Sequence, residues 1–582
     1  MKRNKLFKYA VLLAFPIACG NMVTGCTDDF ETINSSEIEV NPGDLPFKAQ
    51  FQEPMTYCYP PQQNMFQFWT NLSIDFYGGY FMTPNGNFGN GNYGEVRGHC
   101  GGMYENYYLH IINNTSRLIK TCEENGQNAV GALMRIVQAY GTLMTTDTYG
   151  PIAYKSVLDK TPTSATFAYD KQEDIYNYMF ADLEKAVTDL KTATDEEKGI
   201  LKAADFWCGG NIDLLTKVAN TLKLRMAMRI VKVNPKLAET KAIEAYGGGV
   251  LTDADKDIII DQGLENEMWL MISSWGDCGF NASLVTIMDG FKDPRQPLYM
   301  TKNTEDILKD GYSKAKDDNK NDFYYKTADK DKTPVAKSEA VLVEKDAKYL
   351  GMRIGSGLPA KPNAWGNFSG WVGNYTMGLP IMKVAEAYFL RAEGALRGWD
   401  MGGTPQSLYE QGIRTSIKNE LKYKGSYAGV KDIDDAAIDA YINGSTGQID
   451  FVDPVNDENS ITALNTLGVK WDNANGDKEK QLQLIITQKW IANFPLSNEA
   501  WAEYRRTGYP KLFPVRVNNS DGNIDTNEQI RRSIYGATPY DTNEAELNKG
   551  IELLNQENSS TKFSGDHGGT RLWWDRADKG NF

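Results

Sequence analysis

Apolar residues recur at intervals of three and four along several long stretches of the chain. This spacing places them on one face of an α-helix and predicts amphipathic helices that pack against a common core. One stretch ends just before Gly398, as expected where a glycine closes a helix. The stretches with the most regular pattern are residues 133–144, 175–190, 215–230 and 381–396.

Paired helices with Ala and Gly at close-approach positions are compatible with tetratricopeptide-like helix hairpins, although no strict repeat of about 34 residues is visible. Strand patterns are few and short. Residues 302–340 and 445–480 are polar and have the composition of solvated insertions. Composition and spacing by themselves therefore predict a mostly α fold and leave the arrangement of the helices open.

Two segments between the predicted helices combine glycine, asparagine and aromatic residues without a helical or strand period. They are Tyr77–Tyr93, with the sequence YGGYFMTPNGNFGNGNY, and Trp365–Tyr375, with the sequence WGNFSGWVGNY. Aromatic rings stack on the apolar faces of sugars while amides bond to the hydroxyl groups, so these segments suit a neutral polar ligand. The alternative is that the aromatic side chains pin loops to the core.

The candidate ligand-binding residues come from these two segments and from the sequence ISSWGD. We expect them to bind a ligand without performing chemistry on it, and no catalytic residue is predicted. The candidates are Tyr80, Asn85, Phe88, Tyr93, Trp275, Trp365, Phe368, Trp371 and Tyr375.

The N-terminus has the layout of a secretory signal peptide. A basic start, Lys2 to Lys8, precedes the apolar stretch Tyr9–Ile17, which is shorter than the roughly 20 residues that a membrane-spanning helix needs. The sequence VTGC that ends at Cys26 resembles the lipobox of bacterial lipoproteins, whose cysteine is acylated and becomes the mature N-terminus. Cys26 is therefore the predicted lipid anchor. A soluble secreted protein is the alternative.

Composition narrows the classes of ligand. The chain has 582 residues, of which 41% are hydrophobic, enough for a large packed core. Its formal net charge is −14, and residues 1–25 contribute only positive side chains. Nucleic acids and anionic lipids are bound through basic surfaces, so this charge disfavours both as partners and favours neutral ligands.

The cysteines and histidines do not predict a metal site or a cofactor. Outside the signal peptide and Cys26, the cysteines are widely separated and odd in number, which indicates buried thiols. His99 and His110 lack metal-ligand spacing, so packing or surface positions are expected for them. Asp521, Asn523 and Asp525 imitate the start of a calcium loop, but an Asx-rich turn explains them better.

Several motifs resemble those of one family. DTYGPIAY at residues 147–154, the helix MKVAEAYFLRAEGALRGW at 382–399 and the block EAWAEYRRTGYP at 499–510 are similar to signatures of SusD-like (SusD/RagB) nutrient-binding lipoproteins. Gln488–Ile491 and the GTRLWWD ending at 569–575 are also similar to that family. The resemblance extends over nearly the whole chain after residue 139.

The resemblance implies a fold and a division of the chain. We expect a signal peptide at residues 1–25, a lipidated N-terminus and linker at 26–45, and one domain at 46–582. In that domain a tetratricopeptide-like helix-pair scaffold would carry an irregular, loop-rich part. The motif residues are expected to pack within the scaffold, and they are Asp147, Tyr149, Glu386, Glu393, Trp501 and Arg505.

The resemblance also implies a function and a partner. SusD-like proteins sit on the outer membrane, face the cell exterior and pass glycans to a SusC-like TonB-dependent transporter; the RagB branch handles peptides. The acidic residues after Cys26 resemble the export signal of such surface lipoproteins, with a solvated linker as the alternative. A glycoside hydrolase and a purely structural surface protein remain rival interpretations, although no pair of carboxylates stands out.

Overall fold

Helices make up most of the regular structure. The structure is a computed structural model and describes residues 47–59, 63–161, 163–261, 266–356 and 368–582. The predicted signal peptide, Cys26 and Trp365 lie outside the described residues. Residues Lys48–Phe582 form one compact unit. In the described part, no helix is both long enough and apolar enough to cross a membrane.

The longer α-helices, each of eight or more residues, include those that the sequence pattern predicts. In the described part they are α1 (Asn113–Glu124), α2 (Asn128–Tyr149), α3 (Gln172–Lys191), α4 (Asp195–Ala204), α5 (Ile212–Arg229), α6 (Pro235–Gly247), α7 (Ala282–Phe291), α8 (Val384–Leu396), α9 (Pro405–Ala428), α10 (Asp435–Ile442), α11 (Lys478–Ala492), α12 (Ser497–Thr507) and α13 (Glu544–Glu557).

Shorter helical segments connect them. The short α-helices are Gln52–Thr56, Gln63–Phe66, Asp75–Tyr77, Arg97–Cys100, Gly102–Asn106, Lys155–Leu158, Glu267–Trp269, Gln296–Tyr299, Lys337–Ala340 and Thr538–Thr542. The π-helical segments are Gln67–Ile74, Tyr107–Ile112 and Leu270–Ser274, and the 3₁₀ segments are Phe47–Phe51, Gly89–Asn92, Asp457–Asn459 and Trp471–Ala474.

The strands are short and pair two by two in antiparallel fashion. They are β1 (Phe81–Met82), β2 (Ile258–Ile260), β3 (Gly279–Phe280), β4 (Ile307–Leu308), β5 (Tyr312–Lys316), β6 (Asp322–Lys326), β7 (Val341–Val343) and β8 (Leu379–Met382). β1 pairs with β3, β2 with β8, β4 with β7 and β5 with β6. Part of the predicted solvated insertion thus folds, with Tyr324, Ala340 and Val341 in a small core of its own.

Consecutive helices pack against each other, which confirms the mostly α fold. α1 packs on α2, α2 on α3, α5 on α6 and α8 on α9. Gly398 follows α8 with a φ of 94°, so the predicted closing glycine is confirmed. The start predicted for this helix was wrong: Ile381 belongs to β8, because the chain pairs with β2 before the helix begins.

A buried ionic network joins α2, α5 and α12. The Arg229 guanidinium donates hydrogen bonds to Asp147 at 3.1 Å, to Glu499 at 2.5 Å and to Glu503 at 2.6 Å. Burial raises the pKa of Asp147, although Arg229 opposes the shift. An isolated buried charge costs several kcal/mol, so these groups stabilise the fold only as a set.

The same network extends to α8 and α11. Arg225 on α5 lies 2.6 Å from Glu386 on α8, and Arg506 on α12 lies 2.6 Å from Glu393. Lys489 on α11 lies 2.8 Å from Glu499. Five helices are therefore held together by paired charges, which explains why the charged motif residues of the sequence lie inside the molecule.

The remaining motif residues also pack, as predicted. The Arg505 guanidinium lies 3.6 Å from the centre of the Trp501 ring, and both side chains are buried. The buried Tyr149 hydroxyl donates a hydrogen bond to the Cys100 carbonyl. The prediction that the family motifs form scaffold is confirmed for these residues.

Among the described residues, the cysteines are free thiols and two of the histidines pack against aromatic rings. Cys58, Cys100, Cys122 and Cys278 are buried free thiols, while Cys208 is half-buried. The thiol prediction is confirmed for the first four residues. His110 stacks on Tyr57 with 3.7 Å between ring centres, and His99 packs against Phe68 and Phe88.

Candidate functional site

The first two segments that carry candidate residues meet where β1 pairs with β3. The Asn85 side-chain amide donates a hydrogen bond to Asp277 Oδ1 at 3.3 Å. Tyr80–Tyr93 is thereby fixed against the turn that contains Trp275.

The second and third segments are joined by the side chain and backbone of one asparagine. The Asn266 backbone N–H donates to the Tyr375 carbonyl at 2.5 Å, and its side-chain amide donates to the Met377 carbonyl at 2.7 Å. Beside these bonds, the Trp269 and Tyr375 rings meet edge to face with 5.9 Å between their centres. We call the region formed by Tyr80–Tyr93, Asn266–Cys278 and Phe368–Met377 the three-segment surface.

The solvent-facing aromatic side chains of this surface come from all three segments. Tyr375 is 53% exposed, and Phe88, Trp269 and Trp275 are half-buried. The amide-bearing Asn87 is exposed beside Phe88. Aromatic faces next to amide groups can bind a neutral polar ligand by stacking and hydrogen bonding, without proton transfer.

Three of the candidates predicted in the first segment are buried. The Tyr80 side chain is 0% exposed and its hydroxyl donates to the Trp490 carbonyl. Tyr93 is 1% exposed and packs against Tyr77 with 6.1 Å between ring centres. Asn85 is buried through its bond to Asp277. In this conformation these side chains fasten the segment to the scaffold, which is the alternative that the sequence left open.

Two candidates of the third segment are also buried. Phe368 and Trp371 are each 6% exposed, and the Trp371 ring lies 5.9 Å from that of Phe494. Trp365 lies outside the described residues. The third segment therefore contributes Tyr375 as its exposed predicted side chain among the described residues.

A buried lysine lies beneath the third segment. The Lys424 ammonium is 4.5 Å from the centre of the Tyr299 ring and 5.5 Å from that of Trp371, and it pairs with Glu420 at 3.1 Å. Burial lowers the pKa of Lys424 to about 8, against the attraction of Glu420. This cation–π packing fixes Trp371, and with it the base of the segment.

Sequence reasoning missed one aromatic residue of this surface, Trp269, and two tyrosines on α9. Trp269 is the last residue of the short helix Glu267–Trp269 and precedes the apolar segment Leu270–Ser274, where the apolar residues predict core rather than surface. Tyr423 near the end of α9 donates its hydroxyl to the Gly378 carbonyl, and Tyr427, one turn along, is 40% exposed. An exposed tyrosine at a helix end was the one available signal.

Metal ligands are not assembled in the described part of the chain, where no group of three or more His, Cys, Asp or Glu side chains is placed to hold an ion. The calcium-like segment is a turn: Asp525 Oδ1 accepts hydrogen bonds from the backbone N–H groups of Asn527 and Glu528, at 2.8 and 3.1 Å. Its other carboxylate oxygen lies 3.0 Å from Lys562.

Comparisons with known proteins agree with the fold. The SusD-like family model, described as SusD and RagB outer membrane lipoprotein, matches residues 29–343 and 317–575. A comparison with the curated proteins found no match.

Several solved structures are similar over most of the chain. A chitin-binding SusD homologue from Flavobacterium johnsoniae is 33% identical, with 92% of this chain and 100% of that chain covered and a TM-score of 0.77. A SusD homologue from Bacteroides thetaiotaomicron is 28% identical, with coverage of 92% and 100% and a TM-score of 0.74. One from Bacteroides vulgatus is 27% identical, with coverage of 92% and 98% and a TM-score of 0.76. Because the family match spans more than half of the chain, the protein belongs to the SusD-like family of outer membrane lipoproteins.

Proposed function

We propose that the protein captures a glycan on the three-segment surface and binds it without cleaving it. The observation that carries this proposal is the direct bonding of the three segments, through Asn85 to Asp277 and through Asn266 to Tyr375. A preorganised surface loses little conformational entropy when a ligand binds. Its exposed rings and amides match the alternating apolar faces and hydroxyl groups of sugars.

Chito-oligosaccharides are the first ligands to test. The relative from Flavobacterium johnsoniae, 33% identical over 92% of this chain, is a chitin-binding protein. The N-acetylglucosamine units of chitin are neutral, in keeping with the net charge of −14 and with the amides at the surface. Other neutral glycans and mixed peptides belong in the same panel, because peptide capture is the alternative function.

We further infer that the protein is lipid-anchored through Cys26 in the outer membrane, faces the cell exterior and delivers its ligand to a SusC-like TonB-dependent transporter. Family membership and the lipobox-like sequence support this inference. Co-purification of such a transporter with the membrane-bound protein, lost in a Cys26→Ala variant, is the expected result.

Calorimetric titration of residues 27–582 with chitohexaose tests the capture site. We expect saturable binding that weakens roughly tenfold or more in a Trp275→Ala/Tyr375→Ala variant, because two stacking faces are lost. Tyr178→Ala is the matched control, since Tyr178 is 37% exposed on α3 and its ring stacks on that of Tyr154, which belongs to none of the three segments. Equal affinity of the double variant and the wild type would reject this surface, and binding of peptides alone would favour the alternative function.

Binding without cleavage is tested by incubating the purified protein with chitohexaose and assaying for new reducing ends. We expect none above the level of a heat-denatured sample. Glycoside hydrolysis needs two carboxyl groups flanking the scissile bond. Within the surface, the carboxyl groups of Glu267 and Asp277 belong to buried residues, 2% and 7% exposed. New reducing ends that persist after further purification would establish catalysis instead.

A further inference from the structure

A polar cavity lies between the third segment and the β5–β6 hairpin. Its volume is about 650 Å³, within the range of roughly 300–1,000 Å³ typical of small-ligand sites. It is lined by the loop that precedes β4, by the hairpin and by Phe368 of the third segment. We call it the insertion cavity, and its lining residues include Thr304, Glu305, Tyr312, Ser313, Lys314 and Thr327.

The insertion cavity adjoins the three-segment surface. Phe368 belongs to both. Just before the lining loop, the Thr301 backbone N–H donates to the Gly370 carbonyl at 3.0 Å, and the Gly370 N–H donates to the Thr301 hydroxyl at 3.1 Å. The backbone from Phe368 to Tyr375 spans at most about 25 Å even when fully extended. An oligosaccharide of several units is therefore long enough to reach both Tyr375 and the insertion cavity.

Hydroxyl groups and an aromatic ring of the hairpin line the cavity. The Ser313 and Thr327 hydroxyls lie 2.8 Å apart across the hairpin, and each keeps further hydrogen-bonding capacity beyond this bond. Tyr312 is half-buried, and its hydroxyl donates to Glu339 at 3.0 Å, which fixes the position of the ring. An aromatic face beside hydroxyl groups matches the C–H faces and hydroxyl groups of a sugar unit.

The charged side chains that line the cavity each have a partner within the protein. These contacts are Lys314 with Glu305 at 2.6 Å, Asp306 with Lys337 at 3.2 Å, Lys309 with the Glu339 carbonyl at 3.0 Å, and the Lys302 ammonium at 5.3 Å from the centre of the Tyr349 ring. Because these charges are already engaged, a bound ligand is not required to supply a counter-charge. The cavity therefore suits a neutral ligand.

We propose that the insertion cavity binds further sugar units of the neutral glycan that the three-segment surface holds, so that the protein prefers long chains over short ones. The proposal rests on the proposed function. Tyr312 stacks on one sugar unit, and Ser313 and Thr327 bond to its hydroxyl groups. A chain that fills both regions gains the second set of contacts without a second loss of translational freedom.

Calorimetric titration of residues 27–582 with chitotriose and with chitohexaose tests the cavity. We expect the wild type to bind chitohexaose at least about tenfold more tightly than chitotriose, because only the longer chain reaches both regions. In Tyr312→Ala the affinity for chitohexaose should fall about fivefold or more, and that for chitotriose should stay unchanged. Tyr325→Ala is the matched control, since Tyr325 is a half-buried tyrosine of the same hairpin that lies outside the cavity lining.

A second variant separates ligand binding from the folding of the insertion. Tyr312 packs against the small core of Tyr324, Ala340 and Val341, whereas Thr304 is exposed. Thr304→Trp places an indole ring in the cavity and should reduce chitohexaose binding as Tyr312→Ala does, with a thermal unfolding temperature near that of the wild type.

The two oligosaccharides distinguish failure of the cavity from failure of the capture function. Trp275→Ala/Tyr375→Ala should weaken both ligands, because it alters the three-segment surface. If neither ligand binds the wild type, the capture of chitin is rejected and the insertion cavity with it. If both bind with equal affinity, or if Tyr312→Ala and Thr304→Trp bind chitohexaose as the wild type does, the insertion cavity alone is rejected.

Discussion

Asp75 is a buried carboxyl group without a cation to balance it. Its side chain is 4% exposed, and in the described part of the chain no cation is among the groups that shift its pKa. Burial raises its pKa from 3.8 to about 7, although hydrogen bonds from Ser497 and Thr70 lower it. The stability of the fold therefore depends on whether Asp75 is protonated.

The sign of the effect follows from proton linkage. Between pH 4 and pH 7 the native state binds a proton at Asp75 that the unfolded chain has released, so stability falls as the pH rises through this window. In Asp75→Asn this contribution is absent. We expect the free energy of unfolding, measured by urea denaturation, to decline more steeply between about pH 4 and pH 7 in the wild type than in the variant.

The comparison isolates Asp75 from other titrating groups. Glu557, whose pKa burial raises to about 7, contributes to both proteins equally. If the two pH profiles run parallel, Asp75 does not titrate in this range.

At the level of single residues, the sequence did not reveal which side chains of the candidate segments are exposed. Tyr80 and Tyr375 lie in equally glycine-rich contexts, yet one is 0% and the other 53% exposed. Irregular backbone has no period from which a buried face can be read. The partner of Tyr80, the Trp490 carbonyl, is more than 400 residues away in the chain and carries no local signal.

The helices were predictable because the buried face of a helix requires apolar residues at a regular spacing in the sequence. α2, α3 and α5 lie where apolar spacing predicts them. The error at Ile381 has the same origin: a short strand directly before α8 adds apolar residues that continue the helical pattern by chance. Which helices are joined by ion pairs depends on how they pack, and the apolar spacing in the sequence does not reveal it.

Removing one member of the buried ionic network between the helices should lower the stability of the fold. Arg229→Met leaves Asp147, Glu499 and Glu503 without their shared cation in a buried setting. We expect a loss of roughly 3–5 kcal/mol in the free energy of unfolding, because an unpaired buried charge is not resolvated. Urea denaturation at neutral pH measures it.

A surface ion pair serves as the comparison. Lys185 and Asp189 on α3 lie 2.9 Å apart with Lys185 42% exposed, so Lys185→Ala should cost less than about 1 kcal/mol. Equal losses in the two variants would mean that the buried network is no stronger than a surface pair.

In the whole molecule, the packed helices and the candidate ligand surface differ in how far the sequence reveals them. The family motifs mark the scaffold, where Glu386, Glu393 and Arg506 are buried together. The three-segment surface combines residues from Tyr80 to Met377, which no local pattern connects.

Ligand binding at the three-segment surface should depend little on salt. Stacking and hydrogen bonding of chitohexaose at this surface involve no formal charge, so its affinity should change by less than about twofold between roughly 50 and 300 mM NaCl. Calorimetric titration of one protein sample with chitohexaose at the two salt concentrations measures the dependence directly. A several-fold loss of affinity at the higher concentration would mean that charged groups take part in binding, and would contradict stacking and hydrogen bonding as its main source.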